Sequence, residues 1–289
     1  ANPDGVDYVP LPKWKNMLIQ LLNIAGIGPV IGVIAGIKFG KVALLIIPVG
    51  CVFMGAVHDF VSGMVSIRMN GANLPRIIRS NLGRVYSSVF SWLMIGLLIL
   101  MVAVFINVPA RLIDKTVFPS IPFFWWMVVI IFIYYVVATL FPVDKIIGAV
   151  YPFFGAILVV GSIAMCGALI WYGFQDSSIL EESAAFLRYR DEVFNAGGRS
   201  PLFPLLFVTI ACGIISGFHA TQSPIVARTI RSEREARQTY YGMMIAEGVI
   251  AMIWAAAALA MYNRSPADLS MPPADVLADV TKWMLGPWM

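Results

Sequence analysis

Charged residues are scarce in this chain. They make up 12% of its 289 residues, whereas 60% are hydrophobic. Soluble domains carry about a quarter charged residues, so the composition excludes that class and indicates an integral membrane protein. The formal net charge is only +4. We interpret it as an excess of basic residues in cytoplasmic loops, and we expect no nucleic-acid partner.

Histidine and cysteine are also rare, with two and three residues. Cys51, Cys166 and Cys212 lie in apolar runs at a spacing that fits neither disulfides nor a metal site, which predicts small buried side chains. No HExxH, GxSxG or P-loop motif occurs, so we expect no enzyme, no metal and no cofactor. One alternative stays open, because His58 and His219 together would suffice to ligate a b-type haem.

Long apolar segments dominate what is present. A membrane-spanning helix needs about 20 apolar residues, and seven segments reach that length. They predict an all-α membrane protein with spans near 17–37, 42–67, 86–107, 122–141, 146–172, 203–224 and 240–262.

Two glycine- and proline-containing interruptions fall in mid-span, at Gly26–Gly32 and at Gly213–Pro224. For the first alone, close packing of helices through small residues would be the simpler explanation. Four complete spans separate the two, so their helices would cross in opposite directions. Paired broken helices in opposed halves are typical of inverted-repeat transporters and indicate the binding site.

These patterns divide the chain into four parts. Residues 1–16 are a polar lead-in, 17–172 a first five-helix repeat, 173–202 an acidic extracytoplasmic loop, and 203–289 an incomplete second repeat of two spans and a terminal segment. We therefore expect either a fragment of a longer protein or a shortened homologue that needs partner subunits.

Basic residues cluster in two loops on the same predicted side of the membrane, which the positive-inside rule makes cytoplasmic. The loop after the second span has four arginines and no acid, and the loop after the sixth has four arginines against two glutamates. The arginines are Arg68, Arg76, Arg79 and Arg84 in the first loop, and Arg228, Arg231, Arg234 and Arg237 in the second.

Polar residues inside the spans are the candidate site. A carboxylate in the membrane costs at least a few kcal/mol unless it is paired or protonated, and it is a functional candidate by default. A helix that restarts in mid-membrane also favours a bound carboxylate at its N-terminus. The predicted proton-coupling residues are His58, Asp59, His219 and Glu247. The predicted substrate-binding residues are Gly26, Gly28, Pro29, Gly217, Phe218, His219, Thr221, Gln222 and Ser223. The alternative for the titratable groups is a structural tether between helices.

Five segments resemble the carbon starvation protein A (CstA) family. They are Asp4–Pro10 with Lys13 and Trp14, Ile24–Pro29, Gly55–Phe60, Ser66–Gly71 and Ser216–Pro224. The resemblance implies a multi-spanning inner-membrane transporter with a LeuT-like five-plus-five inverted repeat, related to the amino acid–polyamine–organocation superfamily. It also implies cation-coupled uptake of peptides or pyruvate. One departure is visible, since family members often carry a His-His-Phe run where this chain has Gln20–Asn23.

The sequence thus predicts a secondary active transporter in a bacterial inner membrane, whose partners are the lipid bilayer and a peptide or a small carboxylate such as pyruvate. Proton or cation coupling is expected. Two alternatives stay open: a non-transporting membrane subunit of a larger complex, and a haem-carrying redox subunit.

Overall fold

A computed structural model describes residues 8–116, 123–140, 143–195, 206–207, 210–211, 213–215 and 219–286. All regular structure within these ranges is helical, as the composition predicted. The α-helices are α1 Lys13–Ile24, α2 Ile27–Gly36, α3 Val42–Arg68, α4 Leu74–Leu82, α5 Arg84–Thr116, α6 Phe124–Leu140, α7 Val143–Gln175, α8 Ala184–Asn195, α9 His219–Thr229, α10 Glu233–Arg264 and α11 Pro273–Leu285. The predicted break near Gly26 is confirmed, since α1 ends at Ile24 and α2 begins at Ile27.

Four helices in the described part of the chain are long and apolar enough to cross a membrane. They are Val42–Arg68, Arg84–Asp114, Gly155–Gln175 and Glu233–Arg264. A fifth crossing results if Lys13–Ile24 and Gly28–Phe39, bent by 44°, count as one span. Together they coincide with five of the predicted spans. Of the other two, α6 is a shorter apolar helix and the segment 203–224 is described only in part, so seven spans stay a prediction.

The chain forms two compact units. The first takes residues up to Gln20, Phe60–Phe153 and Ala220–Thr239, and the second takes Leu21–Asp59, Phe154–His219 and the residues from Tyr240 on. Each is described separately below. The predicted division into repeats at 17–172 and 203–289 is a different partition, and it stays a prediction.

In the first unit, the short helix α4 precedes the long apolar helix α5. The Asn73 side chain caps α4 by accepting a hydrogen bond from the Arg76 amide at 3.1 Å. Gly83, with a φ of +91°, ends the helix in a conformation that glycine adopts readily. The Ser87 hydroxyl then donates to the Pro75 carbonyl at 2.9 Å and fixes α4 to the start of α5.

In the second unit, the core lies between α2 and α10. Alanines on α10 present little side-chain volume, which lets the two helices approach closely. Val33 and Ile34 of α2 and Ala255 and Ala258 of α10 are all fully buried in this core. The Tyr262 hydroxyl, also on α10, donates to the Ile34 carbonyl at 3.3 Å. The restarted helix α2 is therefore held by packing along its length.

Candidate functional site

A buried stripe of small and polar residues runs along α3. Cys51, Gly55 and Asp59 follow one another at a spacing of four residues, and each is buried. The turn Cys51–Gly55 is π-helical, a widening of the helix that occurs frequently at functional sites. The stripe faces α10, because the Cys51 thiol donates to the Met244 carbonyl at 3.2 Å.

Gly55 allows a backbone approach that a larger residue would block. A Cβ atom at this position would overlap the Ile214 carbonyl oxygen and would lie 3.0 Å from the Met244 side chain. Gly248 of α10 has the same role opposite Cys51, whose sulfur would lie 2.5 Å from an added Cβ. The segment 213–215 and α10 therefore both lie against α3, one turn before Asp59.

Asp59 and His219 meet in the protein interior. His219 Nδ1 lies 2.8 Å from Asp59 Oδ1, and the exposed fractions of the two side chains are 1% and 0%. When Asp59 is ionised, so short a contact requires a proton on Nδ1 of the imidazole. The contact joins α3 to His219, the first described residue of α9. A buried pair of this kind is stable only while its charges are matched.

His58 extends this pair. Its ring lies edge-on to the His219 ring, with 5.7 Å between the centroids and 76° between the planes. Unlike Asp59 and His219, which are buried, His58 is an exposed residue of α3. The three residues therefore form a short polar track from a buried carboxyl to the surface of the helix, which is suited to pass a proton.

Glu247 is the fourth titratable residue of the cluster. Its side chain on α10 is fully buried, and neither carboxyl oxygen has a hydrogen-bond partner among the described residues. Asp59 acts on it electrostatically. The structure thus brings together all four predicted proton-coupling residues within the second unit.

The predicted substrate residues at the first interruption lie at the start of α2. Gly26 is the N-cap residue of α2. Because glycine has no side chain, it provides no hydrogen-bond acceptor for the first backbone N–H groups of this helix. Ile24, two residues earlier, packs with Cys51 and Met244 in one buried cluster. This interruption therefore adjoins the stripe that leads to Asp59. Gly28 is half-buried and Pro29 is buried.

The predicted substrate residues of the second interruption fall in α9. Thr221, Gln222 and Ser223 belong to the first unit, where Gln222 is 2% and Ser223 is 3% exposed. The Ser223 hydroxyl lies 3.3 Å from the Ser62 hydroxyl. The Gln222 amide nitrogen has no hydrogen-bond acceptor in the described parts of the chain. Gly217 and Phe218 lie outside the described residues.

A family model identifies the chain. The model for the carbon starvation protein CstA matches residues 1–128 and 123–285. The chain belongs to the CstA family. The resemblance read from the sequence motifs is confirmed.

Relatives within the CstA family differ in length. The chain is 41% identical to an "uncharacterized membrane protein" of Haemophilus influenzae, over 91% of this chain and 82% of that protein. It is 28% identical to the pyruvate/proton symporter BtsT of Escherichia coli, over 94% of this chain and 45% of the symporter. It is 29% identical to the peptide transporter CstA of Bacillus subtilis, over 93% of this chain and 52% of that protein. The chain thus spans about half the length of these two transporters. No solved structure matches it.

The sequence analysis missed one residue near the cluster of His58, Asp59, His219 and Glu247. Tyr240 is fully buried in the π-helical turn Arg237–Gly242 of α10, and Asp59 acts on it electrostatically. A usable signal existed, since Tyr240 precedes Glu247 by seven residues and so shares its helix face. Both π-helical turns thus precede a buried carboxyl, in α3 and in α10.

Proposed function

We propose that this CstA-family protein is a secondary active transporter that carries a peptide or a small carboxylate such as pyruvate into the cell. Two relatives support this, since one is named a peptide transporter and the other a pyruvate/proton symporter. The apolar helices support a location in the lipid bilayer. We place the protein in a bacterial inner membrane, with the arginine-rich loops at 68–84 and 228–237 in the cytoplasm.

The observation that carries the proposal is the buried contact between Asp59 and His219. An ionisable pair at 2.8 Å inside a membrane helix is costly to maintain and is retained where it pairs or moves charge. Protonation of Asp59 removes its negative charge and weakens its attraction for a proton on His219. Because His219 belongs to α9, the protonation state of the pair acts on the helix that carries Thr221, Gln222 and Ser223.

Solute binding is assigned to the interrupted helices. The start of α2 at Gly26 and Gly28 offers backbone N–H groups and the positive end of a helix dipole to a carboxylate. Pro29 has no N–H to donate, and it lies in the first turn of this helix. In α9, Thr221, Gln222 and Ser223 offer hydroxyl and amide groups for hydrogen bonds to a polar solute. Glu247 and His58 serve as further proton carriers next to Asp59.

The test is uptake into liposomes that contain the full-length gene product. We expect inward proton gradients to drive accumulation of labelled pyruvate or of a labelled dipeptide, and His219→Ala to abolish this accumulation. The control is Asn81→Ala, because Asn81 is exposed and bonds locally to Ile77 and Ser80. If neither solute is taken up, the proposal is wrong, and the alternative is a non-transporting subunit of a larger complex.

A further inference from the structure

A cavity in the second unit lies apart from the proton-coupling cluster. It has a volume of about 470 Å³ and opens where α7 ends and the chain turns towards α8. Residues with opposite charge and two aromatic rings line it, among them Tyr172, Asp176, Glu181, Arg264 and Trp283. A cavity of this volume is within the range of small-molecule sites.

Hydrogen bonds from Asn263 hold the rim of this cavity. Its side-chain amide donates to the Ile179 carbonyl at 3.1 Å and to the Glu181 carbonyl at 2.7 Å. The Asn263 side-chain oxygen accepts from the Ser183 amide at 3.1 Å. One side chain of α10 therefore fixes the backbone of the turn between α7 and α8, so the cavity is preformed.

One wall of the cavity is negatively charged. Asp176 Oδ1 accepts hydrogen bonds from the Ser178 amide at 2.9 Å and from the Ser178 hydroxyl at 2.6 Å. These bonds lower the pKa of Asp176, so the carboxylate is ionised at neutral pH. The exposed Glu181 adds a second carboxylate to this wall. It forms no ion pair with any residue that the structure describes, so its charge is available to a ligand.

The remaining wall is cationic and aromatic. The Arg264 guanidinium lies 4.9 Å from the centre of the Trp283 ring, and Tyr172 packs against the same ring at 5.2 Å. The stacking orients Arg264 while leaving its N–H donors free of any carboxylate of the described chain within ion-pair distance. A planar guanidinium in this setting suits a carboxylate ligand.

We propose that the cavity is a second binding site, which takes zwitterions that carry both an ammonium and a carboxylate group, such as amino acids or short peptides. The ammonium lies beside Asp176 and Glu181, the carboxylate pairs with Arg264, and the remainder of the ligand packs on Trp283. This inference rests on the proposed transport function, which it deepens by favouring peptides over pyruvate. Pyruvate has no ammonium group, so the acidic wall repels it.

The experiment measures whether a bound ligand in the cavity protects an introduced thiol from alkylation. Gln175 lines the cavity and is exposed, so Gln175→Cys introduces a thiol there. Its alkylation by a maleimide is followed by mass spectrometry on the full-length protein in lipid nanodiscs. The probes are alanine, Ala-Ala, N-acetyl-Ala-Ala, Ala-Ala amide and pyruvate.

We expect alanine, Ala-Ala or both to slow the alkylation saturably, which identifies the zwitterion, whereas pyruvate has no effect. Blocking either terminus of Ala-Ala weakens protection by about ten-fold, as does Glu181→Gln, because each change removes one charge-assisted contact. The matched control Asp191→Asn removes an exposed acid that pairs with Arg190 and does not line the cavity, and it leaves protection unchanged.

Equal protection by pyruvate and Ala-Ala, no protection by any probe, or wild-type protection after Glu181→Gln would overturn the inference. Uptake and protection are both measured on the wild-type protein, which separates this failure from a failure of the transport proposal. If uptake is absent but protection persists, the zwitterion site stands and the transport function is wrong. If uptake is present but protection is absent, the reverse holds.

Discussion

Two buried polar regions of this protein differ in how well their groups are paired. In the first unit, Asn16 is fully buried and bonds at both ends of its side-chain amide. Its nitrogen donates to the Thr229 carbonyl at 3.1 Å, and its oxygen accepts from the Thr229 hydroxyl at 2.7 Å. In the second unit, Glu247 is just as deeply buried, and neither of its carboxyl oxygens has a hydrogen-bond partner among the described residues.

The difference distinguishes a structural junction from the proposed proton-coupling site. Nearly all buried polar groups in proteins are hydrogen-bonded, and a satisfied pair fixes one conformation. A buried carboxyl without a partner lowers stability, so its retention indicates a role that needs a proton or a ligand. The Asn16–Thr229 junction therefore holds α1 to α9 within the first unit, whereas we propose that Asp59, His219 and Glu247 transfer protons.

The largest effect is expected for Asp59→Asn. The change removes the negative charge opposite His219 and the carboxyl group that would carry the proton, so we expect proton-driven uptake to fall by roughly 100-fold. Initial uptake rates in proteoliposomes measure it. The control Asp191→Asn removes an exposed acid and leaves the rate unchanged. Wild-type accumulation by the Asp59→Asn protein would assign the pair to structure alone.

The next largest effect concerns the packing that forms the site. Gly55→Ala forces a Cβ into the Ile214 carbonyl, which is backbone and does not move aside as a flexible side chain does. We expect the free energy of unfolding to fall by about 3 kcal/mol. An SDS titration of unfolding measures this.

Gly96→Ala is the matched control for Gly55→Ala. Nothing lies within 4 Å of a Cβ at Gly96 on α5. There the substitution favours the helix by about 0.5–1 kcal/mol. Equal effects of the two substitutions would show that Gly55 does not set the distance between α3 and the segment 213–215.

Glu247→Gln is expected to separate function from stability. The amide has nearly the same shape and no proton to transfer, so uptake falls by about ten-fold while the thermal midpoint stays the same or rises. Glu233→Gln is the control, because Glu233 is exposed and pairs with Arg68 at 3.7 Å. A large drop in stability with normal uptake per folded molecule would instead make Glu247 a structural residue.

The smallest effect is expected for Asn16→Ala. In contrast to Glu247→Gln, this substitution is expected to change stability and not uptake. Removing the side chain leaves the Thr229 hydroxyl without this acceptor and lowers the free energy of unfolding by about 1 kcal/mol, while uptake per folded molecule is unchanged. Asn81→Ala, the same substitution at an exposed site on α4, leaves both quantities unaltered. A loss of uptake in Asn16→Ala at normal stability would contradict the view that the Asn16–Thr229 contact is structural only.

The sequence predicted most of the membrane helices because apolar length is a local property. It also singled out His58, Asp59, His219 and Glu247, which the structure brings together, since charges inside apolar segments are conspicuous. It did not predict that His219 contacts Asp59 while His58 stays exposed. That arrangement depends on how closely Gly55 lets the chain around Ile214 approach α3, which is a tertiary property. Tyr240 was missed for a similar reason, because a tyrosine at the start of an apolar span resembles an interfacial anchor.

The central claim is that the Asp59–His219 pair couples solute movement to proton movement. Simultaneous recording of solute uptake and of lumenal pH in proteoliposomes tests it, with wild-type and Asp59→Asn proteins compared. The account predicts that wild-type uptake acidifies the lumen, and that the Asp59→Asn protein exchanges solute down its gradient without moving protons. Solute-dependent acidification that persists in Asp59→Asn liposomes would contradict it.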